Sequence, residues 1–310
     1  MPAETALLFS LALCAFLLGA NNASNGVGPA IGGKVASYAK VSILFAAGLV
    51  AGLVAEGWKM LSALSAAQAP VRDPYVAAVI LGVAAMVTAF ATFLKMPLPV
   101  TFAIVGGLLG VCHPLGLKVS ESYVQWVLAS WATTPLVAVV LGVVLARALM
   151  SMARKIGGVT EIYTLYGCLS LFGAFYIAYV LGANTLGLMS SIYGGEAHYA
   201  LAGAIAGAMA VVGVLSLGWV VAEKLGTGFV KFGATTTLAA QLSGALTIHF
   251  FTQFGIPVSI TQAMVGGIIG AGLAKGVRAV NPLELMKLVI FWTLTPLACY
   301  ALLFLLYSFY

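Results

Sequence analysis

The sequence predicts an all-α, polytopic membrane protein of two inverted five-segment repeats with broken or re-entrant helices. Three observations point there. The chain of 310 residues is 62% hydrophobic and only 7% charged, with a mean hydropathy of +1.11. A soluble domain of that size cannot hide so much apolar surface, because most of a globular surface must be wetted. Apolar tracts of helical length recur from end to end, which fits a helical bundle and not a barrel. Finally, the two halves of the chain match one another in order.

The tracts lie at about 5–20, 36–58, 76–94, 98–112, 123–150, 160–182, 198–222, 232–252, 258–274 and 286–309. The first has no basic residues before its apolar core and carries Glu4, so it is taken as a membrane segment and not a signal peptide. The fourth and ninth are short for a full span of about 20 residues. Each follows a proline-marked break, KMPLP (Lys95 to Pro99) and FGIP (Phe254 to Pro257). Proline suits the first turn of a helix, and the residue before it resists helix. Segments three and four, and eight and nine, are either separate spans or hairpins that dip in and return.

The repeat is legible in three landmarks. PLPVTFAIVGGLLG (Pro97 to Gly110) aligns without gaps on PVSITQAMVGGIIG (Pro257 to Gly270), at an offset of 160. WATTP (Trp131 to Pro135) matches WTLTP (Trp292 to Pro296) at 161, and LGAN (Leu18 to Asn21) matches LGAN (Leu181 to Asn184) at 163. The chain divides into a first membrane repeat, 1–157, and a second, inverted one, 158–310. Two odd-numbered units in series insert with opposite orientation.

Charge sets the orientation. With both termini outside, the inner loops hold Lys34, Lys40, Lys95, Arg147, Arg154, Lys155, Lys224, Lys231, Lys275, Arg278 and Lys287. The outer side holds only Lys59, Arg72 and Lys118, eleven against three. That is a strong positive-inside bias. The net charge of +6 is scattered over short loops, so it speaks for membrane orientation and against nucleic acid. No carboxylate pair, Ser/His/Asp set or metal-ligand spacing falls in one place, so neither an enzyme nor a resident metal or cofactor is expected. Cys14, Cys112, Cys168 and Cys299 are isolated and suggest no disulfide framework.

Inverted repeats with interrupted helices are the signature of a secondary transporter, with the site where the breaks of the two halves meet. A channel can be built from similar parts and stays as the alternative. A helix that starts inside the membrane has unpaired N–H groups at its first turn, and these favour an anion. Segment nine adds Ser259, Thr261 and Gln262 there, and segment four adds Thr101. The stretch GANNASNGVGP (Gly19 to Pro29) is expected to be a complementary break. Its Asn21, Asn22 and Asn25 offer amide donors and acceptors without charge. The second copy, GANTLGLM, keeps Asn184 and places Thr185 opposite Asn22. Segment eight carries Thr237, Gln241, His249 and Gln253 on one helical face. His249 is either a proton relay or an interhelical hydrogen-bond partner. Glu56 and Lys59 are expected at the membrane interface. The glycine pairs Gly48/Gly52, Gly106/Gly110, Gly203/Gly207 and Gly266/Gly270 are expected to allow close helix packing.

These residues resemble the inorganic phosphate transporter (PiT) family, whose repeats carry GANDxANA and PVSTTHA. Here GANNASNG stands for the first motif and PVSITQA for the second. The resemblance covers nearly the whole chain. It implies an ion-coupled symporter of inorganic phosphate in the cell membrane, driven by Na+ or H+, and a homodimer. The family aspartate is Asn22 in the first repeat and Thr185 in the second, so the ion-coupling candidates become Asn22, Thr185 and His249. Sulfate or another oxyanion, or an uncoupled anion channel, is the alternative.

Overall fold

The computed structural model describes residues 2–67, 71, 73–156, 158–192, 196–228, 233–276 and 281–309. Arg72, Lys231 and Arg278 of the charge count, and Gly157 at the repeat boundary, lie outside the described residues. Among those described, every regular element is helical. The first half runs α1 (Pro2–Gly32), α2 (Tyr38–Glu56), α3 (Trp58–Ala66), α4 (Pro74–Phe93), α5 (Val100–Cys112) and α6 (Glu121–Ile156). The second runs α7 (Val159–Leu181), a π-helical turn (Gly182–Leu186), α8 (Gly187–Ile192), α9 (Glu196–Leu217), α10 (Trp219–Gly228), α11 (Ala234–Gln253), α12 (Ile260–Ala274) and α13 (Pro282–Ser308). Seven helices among the described residues are long and apolar enough to cross a membrane, while α5 and α12 are too short.

The order is the same in both halves, so the ten expected segments are present, with two refinements. Segment two continues past a bend at Gly57 into α3, and segment seven past Gly218 into α10. Helix starts follow local chemistry. Asp73 accepts from Tyr75 N at 2.7 Å and Asn281 from Leu283 N at 3.0 Å, each with proline at the first helical position. Ser259 caps α12 by accepting from Gln262 N at 3.1 Å.

The expected break at GANNASNGVGP is corrected: α1 passes through it as one continuous helix. The polar side chains stay inside the helix because they find partners there. Ser24 donates back to the Asn21 carbonyl at 2.7 Å, and Asn25 to the Asn22 carbonyl at 3.2 Å. Near Pro29, α11 reaches across: Gln241 Nε2 donates to the Gly26 carbonyl at 3.1 Å and Thr237 to the Pro29 carbonyl at 3.2 Å. The second copy does not stop either. It widens into one π-helical turn, a local irregularity of the kind that recurs at functional sites.

The breaks at KMPLP and FGIP are real. There α4–α5 and α11–α12 form two helical hairpins. In each turn a backbone N–H closes back on the departing helix, Met96 N to Ala91 O at 2.8 Å and Ile256 N to Phe251 O at 3.1 Å. The turn residue is left-handed in both, Lys95 at φ 55° and Gly255 at φ 63°. Gly255 also has no room for a side chain, since a Cβ would sit 2.3 Å from the Ala63 Cβ of α3. Lys95 is exposed and carries the steric cost of a left-handed L-residue, about 1 kcal/mol. Lys95→Gly is expected to recover that amount, seen as a higher unfolding temperature of the detergent-solubilised protein; an unchanged or lower temperature would count against strain at this turn.

Glycines set the helix crossings. A Cβ on Gly19 of α1 would fall 2.0 Å from the Ala210 carbonyl oxygen of α9, and one on Gly182 would fall 1.9 Å from that of Leu49 on α2. The halves also exchange partners. Gly106 and Gly110 of α5 lie against the Pro296 and Tyr300 carbonyls of α13, while Gly266 and Gly270 of α12 lie against those of Pro135 and Val139 on α6. So VGGxxG in each repeat packs on the proline segment of the other. Of the four expected glycine pairs, only Gly203/Gly207 sits away from a backbone crossing; on α9 that place is taken by Gly213, against the Phe16 carbonyl.

Candidate functional site

Two adjacent residues on α1 reach both hairpins. Asn21 Nδ2 donates to Thr92 Oγ1 and to the Met96 carbonyl, each at 3.0 Å, and its Oδ1 accepts from Leu98 N at 2.7 Å. That secures the tip of the first hairpin. Asn22, the next residue, faces the second: its Oδ1 lies 3.5 Å from Thr261 Oγ1 at the start of α12.

The π-helical turn repeats the arrangement with the hairpins exchanged. Asn184 Nδ2 donates to Thr252 Oγ1 and to the Ile256 carbonyl, each at 3.0 Å, and Oδ1 accepts from Val258 N at 3.2 Å. That secures the second hairpin. Thr185 then meets Thr101, at the start of α5, with the hydroxyls 3.2 Å apart. Each Asn-X pair therefore joins the tips of both hairpins, and the first turns of α5 and α12 converge on one buried region.

All nine residues expected at the substrate are buried. They divide by what their polar atoms do. Both N–H donors of Asn21 and of Asn184 are committed to the protein, so these two amides position the hairpins and present no free donor to a ligand. The rest leave capacity. Asn25 Nδ2 donates to Asn22 Oδ1 at 3.0 Å, which leaves Asn22 Nδ2 and Asn25 Oδ1 without a partner, as is Gln262 Oε1. Buried polar atoms are normally satisfied, so an unmatched donor and two unmatched acceptors at a convergence of helix starts make this region the candidate ligand site. The donor suits an anion and the amide oxygens suit a hard cation. Thr101, Thr185, Ser259 and Thr261 add hydroxyls. None of these side chains carries a charge.

The two hairpins are not equivalent. Where the second has Gln262, the first has Phe102, stacked on Trp131 with ring centroids 3.8 Å apart. Trp131 Nε1 donates to the Pro257 carbonyl at 3.0 Å, whereas its repeat partner Trp292 has no acceptor for its own N–H. Phe102, Trp131, Gln262 and Trp292 line a largely apolar cleft of about 450 Å³ that also takes in Thr293 and Tyr300. The tryptophans were visible only as repeat landmarks; nothing local in the sequence marks them as neighbours of the site.

Outside this region lies a cluster that sequence reasoning missed. His249 does not sit by itself on the polar face of α11: its Nε2 contacts the Glu56 carboxylate at 3.1 Å. Glu56 therefore belongs to the bundle, only 18% exposed, and not to an interfacial charge pair alone. The partners are 193 residues apart, so only the reciprocal packing of α2 against the second half brings them together.

A model of the phosphate transporter family matches this chain twice, over residues 18–161 and 150–303. The chain belongs to the phosphate transporter family. A protein of Methanocaldococcus jannaschii named as a candidate phosphate permease is 31% identical over 289 residues, covering 91% of this chain and 89% of that one. One of Pyrococcus furiosus, named likewise, is 29% identical over 134 residues, 39% of this chain and 32% of that one. A solved structure titled as the sodium-dependent phosphate transporter superposes with a TM-score of 0.79 at 19% identity, over 99% of this chain and 98% of that one. At that identity the superposition establishes the shared fold: a multi-pass helical membrane protein of twin repeats. This family member is a transport protein and not an enzyme.

Proposed function

We propose that the chain is a secondary transporter that carries inorganic phosphate across the cell membrane together with a cation, H+ or Na+. The observation that carries this reading is the convergence of two helix starts, held by Asn21 and Asn184, on uncharged side chains with free donors and acceptors. Asn22, Asn25, Thr101, Thr185, Ser259, Thr261 and Gln262 line the site, and the starts of α5 and α12 supply positive potential. The neutrality of the lining supports ion coupling on physical grounds. Moving a bare oxyanion through a low-dielectric interior is expensive, and a co-bound cation offsets that cost where no protein cation does. Alternating access then consists of each hairpin in turn leaving its Asn-X partner. The positive-inside count supports an orientation with both termini outside, and a homodimer is part of the same reading.

The test is uptake of labelled phosphate into proteoliposomes, with proton and sodium gradients imposed separately and sulfate as competitor. Accumulation above the external phosphate concentration under one gradient is expected. Uptake that only equilibrates would mean an uncoupled channel, and sulfate uptake without phosphate uptake would overturn the substrate. In the same assay Ser259→Ala with Thr261→Val is expected to lower uptake about thirtyfold, since two lost hydrogen bonds at about 1 kcal/mol each come to about 2 kcal/mol. Unchanged uptake and affinity would remove these residues from the site.

A further inference from the structure

The second hairpin has a tie that the first lacks. Glu56, the last residue of α2, accepts from Gln253 Nε2 at 2.8 Å, Tyr179 OH at 2.9 Å, Lys59 Nζ at 3.0 Å and His249 Nε2 at 3.1 Å. His249 Nδ1 lies 2.7 Å from Tyr176 OH. Gln253 and His249 form the last turn of α11, directly before the hairpin tip, so Glu56 of the first half grips the second hairpin. The carboxylate is 18% exposed and the imidazole 27%. The repeat offsets place Ala89, Phe93, Leu13 and Phe16 at the equivalents of His249, Gln253, Tyr176 and Tyr179. All four are apolar, so among the described residues the first hairpin has no counterpart of His249, Gln253 and the two tyrosines; Lys224 reaches the Leu94 carbonyl at its tip, at 3.4 Å.

We propose that Glu56, His249 and Tyr176 form a proton-binding site whose occupancy controls the second hairpin and not the first. The proposal rests on the reading above, in which the hairpins gate the oxyanion path. Its chemistry follows from the contacts. A carboxylate only accepts, so His249 Nε2 carries a hydrogen and, in the neutral ring, Nδ1 accepts from Tyr176. A proton from the adjoining aqueous phase then adds to the Nδ1 lone pair, and the Tyr176 hydroxyl turns so that its oxygen accepts. The imidazolium now faces the carboxylate, and an ion pair with both partners charged replaces a bond in which only the acceptor was charged. Protonation thus tightens α11 against α2, and proton release loosens it. The other titratable groups facing the cluster are Lys59, Tyr179, Tyr199 of α9 beside Gly57, and Tyr123 of α6, whose hydroxyl donates to the Gly255 carbonyl at 3.4 Å. The faces of α1, α12 and the π-helical turn packed against α11 bring only uncharged groups.

The experiment is hydrogen exchange of the purified protein between pH 5.5 and 8, corrected for intrinsic rates, comparing peptides covering 250–258 and 90–98, with phosphate exchange in proteoliposomes run alongside. Acidification is expected to slow exchange in 250–258 at least fivefold and to leave 90–98 unchanged, and His249→Gln is expected to abolish the response. Equal responses in both hairpins, no response in either, or a response that survives His249→Gln would overturn the proposal. Should His249→Gln not fold, Tyr176→Phe decides: loss of the hydroxyl that pairs with Nδ1 is expected to reduce the acid response of 250–258, and an undiminished response overturns the proposal. A selective response without phosphate exchange would leave the proton site standing and sink the transport reading instead.

Discussion

Replacing Asn184 with leucine is expected to release the second hairpin and reduce phosphate uptake by more than tenfold. An interhelical hydrogen bond in a membrane contributes only about 0.6 kcal/mol on average, so the bonds themselves are not the larger part. The larger part is what they leave behind. Without Asn184 the Val258 N–H and the Ile256 carbonyl lose their partner inside the bundle. Unsatisfied buried groups cost about 1–3 kcal/mol each, or about 2–6 kcal/mol together. The hairpin relieves that by leaving its seat, and the start of α12 leaves with it. Hydrogen exchange should rise across 252–258 while helix content stays near that of the parent, and Asn21→Leu should do the same to 92–98. If Asn184→Leu kept both uptake and protection of the tip, the latch would have no role.

The second large effect concerns Gly52. A Cβ there would lie 1.7 Å from the Tyr179 carbonyl oxygen and 2.8 Å from its Cα, so backbone blocks the space and no rotamer change can clear it. Helices α2 and α7 must part, which also disturbs the crossing of Gly182 over Leu49 and the contact of Tyr179 with Glu56. Gly52→Val is expected to abolish recovery of folded protein. Gly52→Ala should cost at least the ~1–3 kcal/mol usual for an overpacked core. Gly82 is the control: its Cβ would meet only Ser10 Oγ at 3.5 Å, an ordinary contact. Gly82→Ala should therefore stabilise by roughly 0.5–1 kcal/mol, the ordinary helix preference. Thermal unfolding of the three variants in one detergent tests the contrast, and equal effects of Gly52→Ala and Gly82→Ala would refute the close crossing.

The sequence marked Gly52 for the close packing it makes, and the asparagines for another reason. Asn21 and Asn184 stood out as polar amides in apolar surroundings, which pointed to binding. Their burial follows from that, but the choice of partner does not: a side chain that must be satisfied in the membrane can be satisfied by substrate or by protein. Helix α1 does not stop at its asparagines, because Ser24 and Asn25 bond back to their own helix and α11 supplies donors to the carbonyls near Pro29.

The amino-acid sequence by itself determined the membrane class, the ten segments, the twofold repeat and the two proline-marked breaks. Each of these rests on local or periodic chemistry: apolar length, proline without an N–H, and residues matched at one offset. Tertiary structure alone decided which amides hold hairpins and which remain free, and it alone joined Glu56 to His249. Those are pairings across 68 to 193 residues. They depend on helix crossings that bring distant segments together, and no single segment encodes the partner that another will bring.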